Sequence, residues 1–536
     1  MPSVREMASW LDELADRIAF AGESVFKVRA YREAARRLEM GAIDATSLET
    51  LAATPGIGGK VAQKIVRMSQ GELPSELLRR REEQPPELPF LLRLPGIGPS
   101  TARKLWTAGI GTVRLLQEHL GSGEELPGLA VNQRRQLARA FAEYRLGAPL
   151  PELMGLTEEL RADNSSLSPT GDLRRLEPTV LHPRWLAKAG DGAKESWRNH
   201  LPLVLQGLWE ISPDAVTLVD EAGLGAAQVW HTGPPSFISE VQAALGRRDL
   251  RLAADGVYRG EQRLACPLEE DVFAAAGMTW VAPALRGLDP AARRDAPLAV
   301  QGDLHTHSTW SDGLADIASM ARAAAARGYA YLAVTDHSQG LKVANGLTPE
   351  RFRQQRREIE AVRRQLPAGF TLLQGCEVDI HTDGSLDLPD DLLRELDVVI
   401  ASVHNHFDQG VLEVTARLVA AIQHPLVTAI GHPGARKLGE RPPIAADWGR
   451  VFAAARDTGM GLELSASPRR LDLDYRWLGE SGAQGLCFVI DTDAHSVQEL
   501  DYMPLGIAQA QKAGIRAEQV LNAGSVEGVR RAKAGH

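Results

Sequence analysis

The chain is poor in cysteine and contains no long apolar run. Its 536 residues include three cysteines, which lie far apart and form no Cys-x-x-Cys pair. This excludes a disulfide framework and a thiolate metal site as organising features, and it favours a reducing compartment. No run approaches the roughly eighteen apolar residues that a transmembrane helix requires. We therefore expect a cytoplasmic protein that does not bind membranes.

Aromatic residues are also scarce, at 5%, but the apolar content of 44% and the charged content of 24% are ordinary for a globular protein. The length predicts about two to four domains. The net charge of −9 does not by itself exclude DNA as a ligand. Because charge is unevenly spread along the chain, local motifs decide the function rather than the net charge.

Histidine is concentrated in the C-terminal half, where nine of the fourteen lie between residues 305 and 495. His305 and His307 follow the β-prone run Leu298-Ala-Val300. Two residues apart on an extended chain, they point the same way and can bind one ion. Other apolar runs end in similar side chains: His337, Glu377, His404, His432, and the pair Asp493 and His495.

These short apolar runs alternate with helical segments such as 317–327, 351–366 and 411–421. The alternation predicts a parallel β/α barrel, whose reactive side chains gather at the carboxyl ends of the strands. One histidine after an apolar run is ordinarily just a polar residue at a strand end, but this repetition predicts a metal site. Imidazole and carboxylate ligands without thiolates suit zinc, manganese or iron.

Residues 300–500 resemble the PHP (polymerase and histidinol phosphatase) domain, through Ser311-Asp-Gly313, Asp493-Ala-His-Ser496 and the order of the acidic and imidazole residues. The resemblance implies a distorted (β/α)7 barrel with two to three divalent metal ions, Mn²⁺ or Zn²⁺, with Fe as a further option. It implies catalytic roles for Glu377, which bridges two ions, and for Asp493 and His337. The implied metal ligands are His305, His307, Asp312, His337, Glu377, His404, His432, Asp493 and His495.

Two Gly-Ile-Gly segments near the N-terminus, Thr54–Ile65 and Leu94–Leu105, resemble helix-hairpin-helix motifs. In such a motif a glycine turn joins two helices and leaves backbone N–H groups at the start of the second helix, where they suit a DNA phosphate. These contacts position a protein on DNA without reading its sequence. The expected DNA-binding residues are Gly56, Gly58, Lys60, Lys64, Gly96, Gly98, Arg103 and Lys104.

The order of the parts resembles the bacterial family X DNA polymerases (PolX) over essentially the full chain. The segment Arg259–Gly277 resembles the end of their polymerase domain, and Gly225–Gly233 resembles their nucleotide-binding turn. The predicted organisation is multi-domain: an all-α helix-hairpin-helix region (1–150), an α+β polymerase-like domain (151–286), a linker (287–299) and the PHP barrel (300–536).

The polymerase chemistry itself is predicted to be lost. The resemblance places Asp172 at the serine of the family's Gly-Ser motif, and His182 and Arg184 at its paired aspartates. The third aspartate corresponds to Ala215, with Asp214 one position away. A guanidinium in place of a carboxylate repels Mg²⁺. The alternative is that a misalignment hides a genuine aspartate pair.

Lys64 has a second interpretation. Its position matches the Schiff-base lysine with which related family X enzymes remove 5′-deoxyribose phosphate. That chemistry needs a neutral amine, which a neighbouring cation such as Lys60 favours. A plain phosphate contact is the alternative.

In the barrel, polar residues on the loops after strands are expected to contact the substrate phosphate: Lys342, Asn345, Arg436 and Arg469, beside Lys437 and Arg470. The predicted function is that of a metal-dependent DNA phosphoesterase, a 3′→5′ exonuclease in repair. It would act as a monomer on gapped DNA or 3′ ends without sequence preference. The alternatives are a small-molecule phosphatase of the histidinol phosphate type and a non-catalytic DNA-end-binding scaffold.

Overall fold

The structure is a computed structural model that describes most of the chain. The described residues are 4–534 without 40–44, 55, 56, 86, 93, 95, 123–125, 132, 135, 136, 139–147, 164, 190–214, 291, 292 and 294–297. The chain divides into two compact units. The first comprises Met1–Pro169, Thr179–Asp220 and Gly439–Arg441, and the second Thr170–Pro178, Glu221–Leu438 and Pro442–His536.

The first unit is mainly helical. Its helices are α1 (Val4–Ala21), α2 (Val25–Glu39), α3 (Leu48–Ala53), α4 (Gly59–Ser69), α5 (Ser75–Glu83), α6 (Leu88–Leu91), α7 (Pro99–Thr107), α8 (Val113–Ser122) and α9 (Leu150–Asp163). Apolar residues at helical spacing, such as Leu11, Leu14 and Ile18 of α1, are completely buried. They share one core with Ile65 and Met68 of α4.

Both Gly-Ile-Gly segments join two of these helices, as predicted: the first joins α3 to α4 and the second joins α6 to α7. Their isoleucines, Ile57 and Ile97, are buried at 4% and 3% exposure. Gly96 has φ +78°, a conformation that favours glycine. The buried isoleucines therefore anchor both connections, and Gly96 shapes the second one.

Short strands complete the first unit. β1 (Ala148–Pro149) pairs with β3 (Thr179–Val180), and a separate sheet has the order β2 (Ser168–Pro169), β4 (Trp185–Lys188), β5 (Val216–Val219). The indole N–H of the buried Trp185 donates a 3.0 Å hydrogen bond to the Thr157 hydroxyl, which ties β4 to α9.

The second unit begins with a small α/β part. Its elements are α10 (Gly171–Arg174), α11 (Leu224–Thr232), α12 (Pro235–Gly246), the antiparallel strands β6 (Arg251–Ala253), β7 (Gly256–Arg259) and β8 (Gln262–Leu264), and α13 (Glu269–Ala276). Phe237 and Phe273 meet in its core with their ring centroids 6.2 Å apart. Gly277 ends α13 at φ +64°, a conformation that a glycine adopts readily.

The rest of the second unit is a parallel barrel. Its strands are β9 (Gly302–Asp303), β10 (Tyr331–Val334), β11 (Thr371–Asp379), β12 (Val398–Ser402), β13 (Ala429–Ile430), β14 (Gly461–Ser465) and β15 (Cys487–Asp491). They form a seven-stranded sheet in chain order. Among the described residues, one β-bridge, between Thr306 and Ala494, joins the two ends of the sheet. The predicted (β/α)7 barrel is thus confirmed.

Helices connect or follow these strands: α14 (Ile317–Ala326), α15 (Pro349–Arg363), α16 (Asp390–Glu395), α17 (Val411–Ile422), α18 (Trp448–Thr458), α19 (Tyr475–Gly482), α20 (Met503–Lys512) and α21 (Val526–Ala534). Every residue of β10 and β12 is buried, as expected for strands covered on both faces. Within the described ranges, no helix has both the length and the apolar character needed to cross a membrane.

Candidate metal centre

Acidic and imidazole side chains converge at the carboxyl ends of the barrel strands. His305 and His307 follow β9, His337 follows β10, His404 follows β12 and His432 follows β13. The remaining members are Glu377 near the end of β11, Asp312 on the loop after β9, and Asp493 and His495 after β15. Parallel strands in chain order bring residues that are distant in sequence to one edge of the barrel.

The nine side chains form four overlapping groups. In each group the potential ligand atoms lie within 4.8 Å of one another. The groups are His307, Asp312, His337 and His495; His305, His307 and Asp493; His305, Glu377 and His432; and His337, Glu377 and His404. All nine residues at the expected ligand positions are therefore brought together.

Glu377 is shared by two of these groups and is completely buried. Its Oε1 lies 2.9 Å from Nε2 of His432 and 3.1 Å from Nε2 of His404. Its Oε2 lies 2.8 Å from Nδ1 of His337 and 3.4 Å from Nε2 of His305. Among the described residues, neither carboxylate oxygen has a hydrogen-bond partner. The Glu377 oxygens and the histidine nitrogens thus lie close together without hydrogen bonds, as ligand atoms that bind the same cation do.

Several histidine ring nitrogens of the cluster are also buried without a hydrogen-bond partner among the described residues. Within the part of the chain that the structure describes, the buried ring nitrogens of this cluster without a hydrogen-bond partner are His305 Nε2, His307 Nδ1, His337 Nδ1 and both ring nitrogens of His432. Buried polar atoms are normally satisfied, because leaving them unpaired is costly. Bound divalent cations would satisfy them, and the imidazole and carboxylate donors suit zinc or manganese. The residues present thus fit a metal centre.

Local electrostatics favour the metal-binding form at Glu377 and His307 but not at every ring: burial would lower the pKa of His404, yet the carboxylates of Glu377 and Asp379 raise it to about 9. Burial alone would raise the pKa of the Glu377 carboxyl, but the positive charges of His404, His337 and His305 hold it well below its usual range. Burial, with the nearby charges of His495 and His337, lowers the pKa of His307 to about 3. An ionised carboxylate and a neutral imidazole are the protonation states that a metal ion requires.

Two further carboxylates, which the sequence interpretation missed, support the histidines. Glu463 Oε2 lies 3.2 Å from His305 Nδ1, and Asp379 Oδ1 lies 2.6 Å from His404 Nδ1. Such contacts fix the orientation of a metal-binding ring. Glu463 is an acid inside the apolar strand β14, a pattern that could have indicated its role.

Backbone conformation is unusual at two of the strand ends. His432 has φ +27° and Asp493 has φ +55°, in the left-handed region that non-glycine residues seldom occupy. Outliers of this kind cluster at functional sites, where the surrounding structure maintains them.

The residues expected to bind phosphate have different environments. Lys342 and Arg469 are exposed. The Asn345 side-chain amide donates a 3.1 Å hydrogen bond to the Trp310 carbonyl. Arg436, by contrast, is 5% exposed and its Nη1 donates a 2.6 Å hydrogen bond to Asp474. The structure therefore gives Arg436 an internal role in place of the expected surface contact.

Arg470, next to Arg469, is the arginine that reaches the cluster. Its Nε donates a 3.1 Å hydrogen bond to Oδ2 of Asp493. After burial, its charge is the next largest influence that lowers the pKa of His432, to about 3.

In the helical unit, Gly58 and Gly98 are the N-cap residues of α4 and α7. The space beside each glycine is open, since an added Cβ would meet no atom within 4 Å. Lys60, Arg103 and Lys104 are exposed on the turns that follow. These positions suit a phosphate backbone, while Gly56 lies outside the described residues.

Lys64 has partners that the sequence interpretation did not anticipate. Its amine donates hydrogen bonds to the Tyr31 hydroxyl and, at 3.0 Å, to the Glu76 carboxylate. Burial would lower the pKa of the amine, but these two partners outweigh it and raise the pKa. The structure thus stabilises the charged amine, whereas lyase chemistry needs a neutral one.

The residues assigned to the degenerate polymerase site lie in different environments. Asp172 forms an ion pair with Arg175 three residues later. His182 and Arg184 are exposed immediately before β4. Asp214 lies outside the described residues, and Ala215, beside it, is buried.

Comparison with protein families agrees with this architecture. Residues 303–466 match the PHP domain and residues 227–287 match the DNA polymerase beta thumb. Residues 3–72 match a helix-hairpin-helix domain and residues 88–125 a SAM-like helix-hairpin-helix tandem.

Individual relatives fall into two groups. Probable phosphatases match only part of the chain: one from Thermoanaerobacter sp. (strain X514) is 30% identical over 41% of this chain and 89% of its own length. Another, from Acetivibrio thermocellus, is 32% identical over 30% of this chain and 64% of its own. The DNA polymerase/3′-5′ exonuclease PolX of Bacillus subtilis (strain 168) is 32% identical over 98% of both chains. The chain therefore belongs to the PolX family of family X DNA polymerases with a C-terminal PHP domain.

Proposed function

We propose that this protein is a metal-dependent DNA phosphoesterase that removes nucleotides from 3′ ends during DNA repair and has lost DNA polymerase activity. The observation that carries the proposal is the convergence of nine acidic and imidazole side chains in a chain that also has two helix-hairpin-helix motifs. The relative that matches over 98% of both chains is named as a DNA polymerase/3′-5′ exonuclease. We expect the protein to act in the cytoplasm as a monomer.

The nine clustered residues would hold two or three divalent ions, and Glu377 belongs to two of the four ligand groups. Bound ions of this kind supply Lewis-acid activation of a phosphoryl group and a hydroxide nucleophile at neutral pH. The protein's own contribution is to orient the ligands. Asp379 and Glu463 fix the rings of His404 and His305, and the buried position of Glu377 keeps its charge away from solvent.

The helical unit would supply DNA affinity without sequence preference. Backbone N–H groups at the starts of α4 and α7, beside the open glycines Gly58 and Gly98, suit phosphate oxygens. Lys60, Arg103 and Lys104 add positive charge on the exposed side of the same turns. A non-catalytic scaffold would have the same DNA-binding parts but would not need the buried metal ligands.

Loss of polymerase activity is supported by the residues at the expected aspartate positions. The family resemblance places His182 and Arg184 at the positions of its paired aspartates, and both side chains are exposed. Asp172, at the Gly-Ser serine, is paired with Arg175. None of these arrangements supplies two adjacent carboxylates for a nucleotide-bound metal.

The test is hydrolysis by the full chain after metal analysis. Purified protein, reconstituted with Mn²⁺ or Zn²⁺, is incubated with 5′-labelled DNA that has a recessed or gapped 3′ end, and separately with histidinol phosphate. Stepwise shortening from the 3′ end, abolished by chelation, is expected. Hydrolysis of histidinol phosphate alone would indicate a small-molecule phosphatase, and DNA binding without hydrolysis would indicate a scaffold.

A further inference from the structure

A buried carboxylate beside the metal centre supports the loop that carries Asp312. Asp336 follows β10, directly precedes the ligand position His337 and is completely buried. Among the described residues, it is a member of none of the four ligand groups. Both of its oxygens instead accept hydrogen bonds from the protein. The effect of Asp336 therefore depends on the groups that donate to it.

Three of these hydrogen bonds come from the loop between the ligand positions His307 and Asp312. The backbone N–H of Ser308 donates to Oδ1 at 2.8 Å, and the Ser308 hydroxyl donates to Oδ2 at 2.6 Å. The Ser311 hydroxyl also donates to Oδ1. Both serines are buried. Asp336 thus holds the residue directly after one ligand position and the residue directly before the next.

The turn that includes Asp312 is built on Ser308. The Ser308 carbonyl accepts hydrogen bonds from the backbone N–H groups of Ser311, at 3.1 Å, and Gly313, at 3.0 Å. A Cβ on Gly313 would lie only 2.6 Å from the backbone of Ser308, so the turn is closely packed. A displacement of Ser308 would therefore move the whole turn and Asp312 with it.

Asp336 is itself anchored to the barrel framework. Gln355, buried in α15, donates a 2.6 Å hydrogen bond from Nε2 to Oδ2 of Asp336. Gln374 of β11 donates in turn from its Nε2 to the side-chain oxygen of Gln355, at 3.1 Å. A satisfied buried network of this kind is rigid. The loop is thus held against a helix and a strand that do not carry it.

Asp312 belongs to the most accessible of the ligand groups. Its side chain and that of His495 are 29% and 26% exposed, whereas Glu377 is completely buried. Oδ1 of Asp312 lies 3.5 Å from Nε2 of His495 and 3.5 Å from Nε2 of His337. Asp312 is also the one carboxylate of its group. The outer group comprises His307, Asp312, His337 and His495.

We propose that Asp336 is a positioning residue that sets the metal affinity of the outer group by holding the loop that carries Asp312. The inference rests on the proposed metal-dependent function and deepens it. The ligand is a divalent cation. Asp336 acts on it through Asp312 and touches neither the ion nor the substrate. The groups that contain Glu377 or Asp493 do not depend on this loop for their carboxylates.

The test measures metal retention by the full chain without turnover. Protein loaded with Mn²⁺ is dialysed against increasing concentrations of a chelator, and the metal that remains is determined by mass spectrometry. The release step that Asp312→Ala removes identifies the outer group. In Asp336→Asn the same step should occur at about 10- to 100-fold lower chelator concentration, the usual effect of losing an outer carboxylate. The other release steps should not move.

Asparagine is a stringent replacement at this position. One Asp336 oxygen faces the backbone N–H of Ser308, and the other faces the side-chain N–H of Gln355. In either orientation, the amide of Asp336→Asn therefore places one N–H group against another, and a buried donor loses its acceptor. The substitution removes the hydrogen bonds while it leaves the volume of the side chain almost unchanged.

Further variants separate positioning from the negative charge of Asp336. Ser311→Ala keeps that charge but removes one hydrogen bond, and it should shift the same release step about 2- to 10-fold. Asp336→Asn combined with Asp312→Ala should release metal as Asp312→Ala does alone, because the first residue acts through the second. Asp397→Asn is the matched control. It loses an acceptor for the Gln374 backbone N–H elsewhere in the barrel and should leave metal release unchanged.

Metal release from Asp336→Asn that equals release from the unmodified protein would overturn the inference. An effect of Asp336→Asn without any effect of Ser311→Ala would overturn it too, since charge rather than position would then be responsible. Equal weakening of all release steps, or additional loss in the combined variant, would indicate general destabilisation and also overturn it.

The proposed exonuclease function is judged separately on the same preparations. If the outer release step shifts as expected but the unmodified protein does not cleave DNA, the inference stands and the exonuclease function fails. If the unmodified protein cleaves DNA and Asp336→Asn retains its metal normally, the function stands and the inference fails. An unmodified protein that binds no divalent metal would overturn both.

Discussion

Asp379 and His404 form a short contact in the barrel, with Oδ1 of the carboxylate 2.6 Å from Nδ1 of the ring. The other ring nitrogen, Nε2, lies 3.1 Å from Oε1 of Glu377. The carboxylate thereby fixes which nitrogen of His404 faces the centre of the cluster. Since Asp379 follows Glu377 by two residues on β11, both side chains point to the same face of the strand.

Asp379→Asn should therefore weaken metal binding without removing a ligand. An outer carboxylate of this kind contributes about 10- to 100-fold to metal affinity. We expect a loss of that size in competition with a chelator, with a similar loss of hydrolysis at limiting metal. Asp383→Asn, an exposed acid on the loop after the same strand, is the matched control. Equal metal affinities for the two variants would contradict the role of Asp379.

Glu377→Ala should abolish hydrolysis and reduce metal content, because the residue belongs to two of the four ligand groups. His307→Ala should behave similarly, since that residue also belongs to two groups. Metal analysis and DNA hydrolysis measured on the same preparations check both variants. Activity within about tenfold of the unmodified protein, with metal still bound, would show that the assignment of Glu377 is wrong.

The convergence could be predicted for eight of the nine residues because they end or follow apolar runs, whereas Asp312 was assigned only through the family resemblance. A parallel barrel places all strand ends at one rim, so the order of the runs was sufficient to bring His305 and Asp493 together. The roles of Arg436 and Arg470 could not be predicted in this way. Both follow strands and both are basic, and only the tertiary contacts of two loops bury one and direct the other to Asp493.

The protonation state of the Lys64 amine could not be predicted from the sequence either. From the sequence, Lys60, one helical turn away, is expected to set the pKa of the Lys64 amine. The structure instead places Tyr31, 33 residues distant, and Glu76, 12 residues distant, on the amine. Contacts between separate helices therefore decide its charge, and local spacing carries no information about them.

Glu269 provides a test of stability outside the barrel. It is 4% exposed, and its two oxygens accept hydrogen bonds from the guanidinium groups of Arg174 and Arg286, at distances of 2.7–2.9 Å. Glu269→Gln leaves two guanidinium groups without their anion. We expect it to lower the free energy of unfolding by about 3–5 kcal/mol at pH 7. The exposed neighbour substitution Glu270→Gln should cost little.

The pH dependence of this effect has a definite sign. Burial would raise the pKa of Glu269, but the hydrogen bonds from Arg286 and Arg174 lower it below its ordinary value of 4.5. Its stabilising effect is therefore complete above pH 4.5 and is lost as the pH falls through the lowered value. Urea unfolding of both variants at pH 7 and in acid checks this. If the difference in unfolding free energy between Glu269→Gln and the unmodified protein grows in acid, the prediction is wrong.

Lys64 is expected to lack lyase activity. Its amine is held charged by Glu76 and Tyr31, and a protonated amine cannot form a Schiff base. Borohydride trapping on incised abasic DNA should give no adduct that depends on Lys64, as judged against Lys64→Ala. An adduct that disappears in this variant would show that DNA binding releases the amine from Glu76.

Primer extension on gapped DNA should be undetectable with Mg²⁺ and at most trace with Mn²⁺. With His182 and Arg184 at the positions that the family resemblance assigns to the paired aspartates, we expect no carboxylate pair to hold the nucleotide metal beside the primer end. That clamp stabilises charge in the transition state, and each ~1.4 kcal/mol lost lowers the rate tenfold. The domain should still fold, because His182 and Arg184 are exposed rather than part of the core.

The decisive preparation is Glu377→Ala, in which degradation cannot mask synthesis. Asp172, Asp214 and Asp220 are then replaced one at a time in this background, and template-directed products are followed against enzyme concentration. Products that scale with enzyme but ignore all three substitutions would come from a contaminating polymerase. Products that disappear with one of them would reveal a carboxylate set that the motif comparison missed. In that case the protein would retain synthesis beside hydrolysis, and the loss of polymerase activity proposed above would be wrong.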